Sequence, residues 1–178
     1  GVEFAVLDDD MVPVPYGQEG ELCLRCPGLM KGYLNNEEAT AEVMKTHEDG
    51  LTWLHTGDVV TIDQESGYII FRSRYKRMIK VNGFNVYPTM VETSMGSCPL
   101  IKEVCAVGMP WKTDERIKLF VTLNDPTMNL EEAVVEIRKY AEEHLNRWSI
   151  PKKISILDEM PRTKLNKIDY VYLQQKGN

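Results

Sequence analysis

Near its end the chain reads Pro161-Arg162-Thr163-Lys164-Leu165-Asn166-Lys167-Ile168-Asp169. Proline sets the backbone entering a turn, and asparagine tolerates the left-handed conformation that turns use. Such a turn poises a lysine ammonium to reach an anion outside its own segment. A second constellation lies upstream, Leu54-His55-Thr56-Gly57-Asp58, followed by Arg74-Tyr75-Lys76-Arg77-Met78-Ile79-Lys80-Val81-Asn82-Gly83-Phe84-Asn85. A carboxylate such as Asp58, in a tight turn after glycine, can accept hydrogen bonds from both vicinal hydroxyls of a sugar. It can equally bond its own backbone, as turn aspartates commonly do. The planar fork of Arg74 suits hydroxyls and phosphate oxygens, although a basic run is more often a solvated face. His55 has no sequence neighbour that would make it a base.

Bulk properties narrow the class. The chain has 178 residues, enough for one domain or two small ones, with 43% hydrophobic and 27% charged residues. A net charge of −6 argues against broad binding to nucleic acid or anionic membrane. No apolar run approaches the ~20 residues of a membrane span. The four cysteines include a C-x-x-C at Cys23 and Cys26. Strand alternation would point those two thiols to opposite faces. No second such motif follows, so no metal is expected, and reduced thiols suit the cytoplasm.

Periodicity positions these residues. Strands are expected over 2–8 and 20–26, a short helix over 36–46 capped by Asn35 or Asn36, and an apolar run at 52–54 before the Thr-Gly-Asp turn. Strands at 59–62 and 68–71 flank the linker 63–67. The basic run 72–77 then breaks the pattern and marks a boundary. Beyond it, Asn82-Gly83 signals a hairpin between 78–81 and 84–86, and Pro88 can open a helix toward Cys98. Strands follow at 104–107 and 119–123. The clearest helix spans 130–147, with Leu130, Val134, Ile137, Ala141 and Leu145 at helical spacing, Asn129 as cap and Pro151 as stop. A strand at 153–157 and a terminal helix over 167–175 complete an α+β class. Trp53, Trp111 and Trp148 read as packing residues.

The quoted motifs resemble the carboxyl-terminal third of the acyl-adenylate-forming, AMP-binding enzymes: acyl-CoA synthetases, adenylation domains of peptide synthetases, and luciferases. The resemblance covers nearly the whole chain. It implies a small, mainly β remnant of the large AMP-binding domain over 1–73, a hinge over 74–77, and a compact α+β lid domain over 78–178. It implies that Asp58 and Arg74 bind the nucleotide and that Lys76 is the hinge residue. Lys167, rather than Lys164, matches the catalytic lysine of Pro-(Arg/Lys)-Thr-x-x-Gly-Lys, with Asn166 in place of the glycine. Lys80 matches an active-site lysine. Asn85 matches a position that is often Gln or Arg, and Gly83 the glycine beside which pantetheine passes.

The implied reaction is a carboxylate–CoA ligation through acyl-AMP, using ATP, Mg²⁺ and CoA. The chain has neither a Ser/Thr/Gly-rich loop with a lysine nor a G-x-x-x-x-G-K-[ST] phosphate cradle. It also starts on a strand without Met. The expectation is a piece of a cytoplasmic ligase that is inactive alone and needs an amino-terminal AMP-binding domain. The alternatives are an adenylation domain that loads a carrier protein and a stand-alone, non-catalytic binding module. Residues 31–40 and 80–84 look more like acyl-CoA synthetases than peptide-synthetase domains.

Overall fold

The computed structural model describes residues 1–177. The chain is mixed α+β and divides into two compact units, residues 1–76 and 77–178.

The first unit is a five-stranded antiparallel sheet. Its strands are β1 (Glu3–Leu7), β2 (Glu19–Arg25), β3 (Met44–Thr46), β4 (Thr52–Ile62) and β5 (Ile69–Arg74), with helix α1 (Glu37–Val43) before β3. β4 is the spine. One edge pairs with β2, while the other is shared end to end by β3, which takes residues 52–54, and β5, which takes residues 58–62. On that second edge residues 55–57 have no strand partner. Val6, Val60 and Ile62 form the buried core, with Val14 and Leu22 against them.

Three expectations are corrected here. The helix expected over 36–46 stops at Val43, because residues 44–46 find ladder partners on β4. The Asn36 side chain caps it, accepting from the Ala39 N–H at 3.0 Å. The runs 52–54 and 59–62 are not separate strands flanking a turn but parts of one strand. Thr-Gly-Asp is a β-bulge within it: β4 advances from His55 to Val59 while β2 advances only from Cys23 to Glu21. Gly57 sits there at φ +71°, a backbone region that side-chain-bearing residues avoid.

The second unit begins with the hairpin of β6 (Ile79–Val81) and β7 (Phe84–Val86). Asn82 and Gly83 both have positive φ, at 51° and 79°, as a two-residue hairpin turn requires. Helix α2 (Pro88–Met95) follows, then β8 (Ile101–Trp111) and β9 (Asp114–Leu123), helix α3 (Leu130–His144), β10 (Lys153–Ile156) and helix α4 (Tyr170–Gly177). β9 is central, antiparallel to β8 and parallel to β10. Alternation along β9 separates two cores. Ile117, Leu119 and Val121 pack with Val91, Met95, Ile137 and Ala141. Phe120 packs with Cys105, Met160 and Leu173.

β8 and β9 are far longer than the strands expected at 104–107 and 119–123, because their ladder runs on through charged residues to the turn at 112–113. α3 starts at its Asn129 cap, whose side chain accepts from the Glu131 and Glu132 amides at 2.9 and 3.1 Å. It ends at His144 rather than at 147, and α4 starts at Tyr170 rather than 167. Among the described residues no helix is long and apolar enough to cross a membrane.

Candidate functional site

In the first unit Asp58 and Arg74 are cross-strand partners on β4 and β5. Arg74 Nη1 donates to Asp58 Oδ1 at 2.6 Å and to the Thr56 carbonyl at 3.0 Å. The Asp58 side chain is 28% exposed and that of Arg74 56%, so both present polar atoms to solvent. The bulge that aims Asp58 has its backbone groups accounted for. The Gly57 N–H donates to Glu21 Oε1 at 2.9 Å, the Asp58 N–H to Thr56 Oγ1 at 3.1 Å, and Thr56 Oγ1 to the Leu22 carbonyl at 2.7 Å. A carboxylate beside a guanidinium on this ledge can accept from a ribose while the cation faces phosphate oxygens.

Lys76, the expected hinge residue, is the last residue of the first unit and lies in the single 3₁₀ turn Tyr75–Arg77. Its ammonium is highly exposed and pairs loosely with Glu42 at 3.6 Å. Such an exposed pair contributes at most about 1 kcal/mol.

In the second unit Lys80 and Asn85 face each other directly across the β6–β7 hairpin, both exposed. The hairpin is tethered through its turn. The Asn82 N–H donates to Asp114 Oδ2 at 2.5 Å, and Arg116 Nη2 donates to Asn82 Oδ1 at 2.7 Å. The bond from the Asn82 amide, with those from the Glu115 amide and Arg116, holds the Asp114 carboxyl below its ordinary range. Gly83 would meet nothing within 4 Å if it carried a Cβ, so its need for glycine is conformational and the space beside it is open.

Lys167 lies on a separate loop. Arg162 and Ile168 form an isolated bridge, and between them the Asn166 N–H donates to the Thr163 carbonyl at 2.9 Å and the Thr163 N–H to the Lys167 carbonyl at 2.8 Å. Asn166 is left-handed, at φ 60°, the conformation a glycine adopts without cost. Arg162 anchors the loop to Glu103. Lys167 is exposed, and among the described residues no acid pairs with its ammonium.

Residues 90–167 match the family described as AMP-binding enzyme C-terminal domain. Over those residues the chain carries an AMP-binding enzyme C-terminal domain. It is 39% identical over 167 residues to a long-chain-fatty-acid–CoA ligase of Escherichia coli O6:H1, an alignment covering 93% of this chain and 28% of that protein. The chain therefore spans under a third of that relative. The anthranilate CoA ligase AuaEII in complex with anthranoyl-AMP superposes with a TM-score of 0.85 at 27% identity, over 100% of this chain and 34% of that one. ATP-bound MatB from Rhodopseudomonas palustris superposes with a TM-score of 0.83 at 26% identity, over 99% and 34%.

Sequence reasoning missed two features. Phe84, half exposed, stacks on Trp148 with ring centroids 4.6 Å apart, and the Arg147 guanidinium lies 4.1 Å from the Trp148 ring. Trp148 packs against the core of the second unit, as expected, and also carries this stack, which the sequence did not signal.

The second feature is a polar cluster around His55. Its Nδ1 lies 2.8 Å from Glu21 Oε2 and 3.5 Å from Cys23 Sγ, and its Nε2 lies 2.9 Å from His47 Nε2. Glu21, Cys23 and His55 bring potential metal-ligating atoms within 4.8 Å of one another. Donor atoms around a tetrahedral metal with ~2.0 Å bonds stand about 3.3 Å apart. The 2.8 Å Glu21–His55 separation fits a shared proton instead. Burial and the neighbouring Glu21 carboxylate push the Cys23 thiol up to about 12, which keeps it protonated.

His47 is held below the usual 6.5, first by desolvation and then by His55 and Lys45, with Asp49 opposing. Depression disfavours the charged form in the fold. The associated stability is complete above about pH 6.5 and is lost as pH falls through the lower folded value. In an NMR titration the His47 ring resonances should show a midpoint below 6.5, and a midpoint at or above it would contradict this arrangement.

Proposed function

We propose that the chain works as part of an ATP-dependent carboxylate–CoA ligase that forms an acyl-adenylate and then a thioester. The observation that carries this reading is the exposed Lys167, without an acidic partner among the described residues and presented by a left-handed turn inside the matched domain. Names among the relatives and structural neighbours, a long-chain-fatty-acid–CoA ligase, an anthranilate CoA ligase with anthranoyl-AMP bound and MatB with ATP bound, support the same chemistry.

In the first step a carboxylate oxygen attacks the α-phosphorus of ATP, an O–P bond forms and pyrophosphate departs. Negative charge grows on the phosphoryl oxygens, and the Lys167 ammonium stabilises it. A cation at ~4 Å in a partly screened site contributes several kcal/mol. Asp58 accepts from the ribose hydroxyls while Arg74 faces the ribose and phosphate oxygens. Mg²⁺ would accompany the polyphosphate, because its charge needs neutralising.

In the second step the CoA thiol attacks the acyl carbonyl and AMP leaves. Lys76 is the pivot between the two arrangements, since an exposed residue in a single 3₁₀ turn can absorb a large torsional change. The open space at Gly83 admits the pantetheine arm, with Lys80 and Asn85 at its side. The Phe84–Trp148 stack with Arg147 offers a flat, cationic surface that suits a purine.

The phosphate cradle and acid pocket belong to protein beyond these residues, namely an amino-terminal AMP-binding domain. Exposed Ile69, Ile70 and Phe71 on β5 support packing of the first unit against more protein. We assign the reaction to the cytoplasm. The 178-residue chain, mixed with ATP, Mg²⁺, CoA and medium- and long-chain fatty acids, is expected to release no AMP above background, while the full-length ligase releases it stoichiometrically with acyl-CoA. AMP release by the chain alone, or none by the full-length protein with any carboxylate, would overturn the reading.

A further inference from the structure

Beneath Asp58 lies a hydrogen-bonded chain that the proposed reaction does not use. Glu21 Oε1 accepts from the Gly57 N–H at 2.9 Å, and Glu21 Oε2 meets His55 Nδ1 at 2.8 Å. His55, 5% exposed, meets His47 through its other ring nitrogen. His47 in turn stacks on Trp53, with centroids 5.5 Å apart.

A neutral pattern satisfies both ring–ring and ring–carboxylate contacts. His55 donates from Nδ1 to the Glu21 carboxylate and accepts at Nε2 from the Nε2–H of a neutral His47. Glu21 thus grips both shoulders of the bulge, the His55 ring on one side and the Gly57 amide on the other. Gly57 is the residue whose positive φ turns the next side chain, Asp58, toward Arg74. Without the Glu21 acceptor the Gly57 N–H has no partner, and the peptide that carries Asp58 is released to rotate.

We propose that Glu21 is a positioning residue for nucleotide binding, its carboxylate fixing the Gly57 bulge and so the aim of Asp58 and Arg74. This rests on the assignment of Asp58 to the ribose. Its test is pyrophosphate exchange by the full-length ligase. Glu21→Asp keeps the charge but is one methylene too short to reach both partners. It should raise KM for ATP about 10-fold, the effect of one lost hydrogen bond to a charged group, with kcat within about twofold. Glu21→Gln keeps an acceptor for Gly57 and should return KM for ATP to within about threefold of the parent. Its amide must donate to His55, so the ¹⁵N resonance of His55 Nδ1 should move to the unprotonated range. A purely structural role would change thermal stability without this split between the variants.

Asp58→Ala is assayed alongside. If it raises KM for ATP while Glu21→Asp does not, Glu21 has no positioning role and the ribose assignment stands. If Asp58→Ala leaves KM for ATP unchanged, both fall together.

Discussion

Lys167→Ala in the full-length ligase is expected to slow acyl-adenylate formation about 10²–10³-fold, with little change in KM for ATP. The expected size follows from charge development. In the proposed reaction the ammonium meets its strongest partner only when pyrophosphate is leaving, so its loss is expected to fall on kcat. Folding should be spared, because the side chain is exposed and the turn is held by backbone bonds, Asn166 and Arg162 rather than by the ammonium. The decisive measurement separates the half-reactions. Supplied with preformed acyl-AMP and CoA, the variant should make thioester at close to the parental rate. Equal slowing of both steps would mean that Lys167 shapes the fold rather than the first transition state.

Asp58→Ala should raise KM for ATP about 10–100-fold, the range for hydrogen bonds to a charged acceptor. In the proposed reaction the ribose is held alike before and during phosphoryl transfer, so kcat should move much less. Instability is the competing explanation, and magnitudes decide against it. The Asp58–Arg74 pair is 28% and 56% exposed. Solvent screening limits such a pair to about 1 kcal/mol of stability. Calorimetric binding of ATP to the folded variant is the direct check, and unchanged affinity would remove Asp58 from the nucleotide site.

The elements most legible in the sequence were those whose local chemistry and long-range packing agree. Asn82-Gly83 and Pro88 specify their turn and helix start within a few residues, and Asn129 with the Ile137–Ala141 stripe specifies α3. Asn166 adopts the left-handed geometry that a glycine takes without cost, as its type in a turn suggests. Elsewhere partners decided. Residues 44–46 carry no strong strand signal and became a strand because β4 offers an open edge. Thr-Gly-Asp reads as a turn, since glycine before aspartate is turn chemistry; only pairing with β2 and β5 makes it a bulge inside a strand. Glu21 and His47 were invisible as a unit with His55. Glu21 reaches it across the β2–β4 register, and His47 from the short loop joining β3 to β4.

The unpaired stretch of β4 at residues 55–57 has a consequence for Arg74. The guanidinium that steadies Asp58 also satisfies the Thr56 carbonyl at that break in the ladder. Both duties fall on one nitrogen, Nη1, whose two N–H bonds are fixed in the guanidinium plane, whereas a lysine ammonium rotates freely. A lysine there would conserve charge but give up the fixed plane that lets one nitrogen serve the Thr56 carbonyl and Asp58 together.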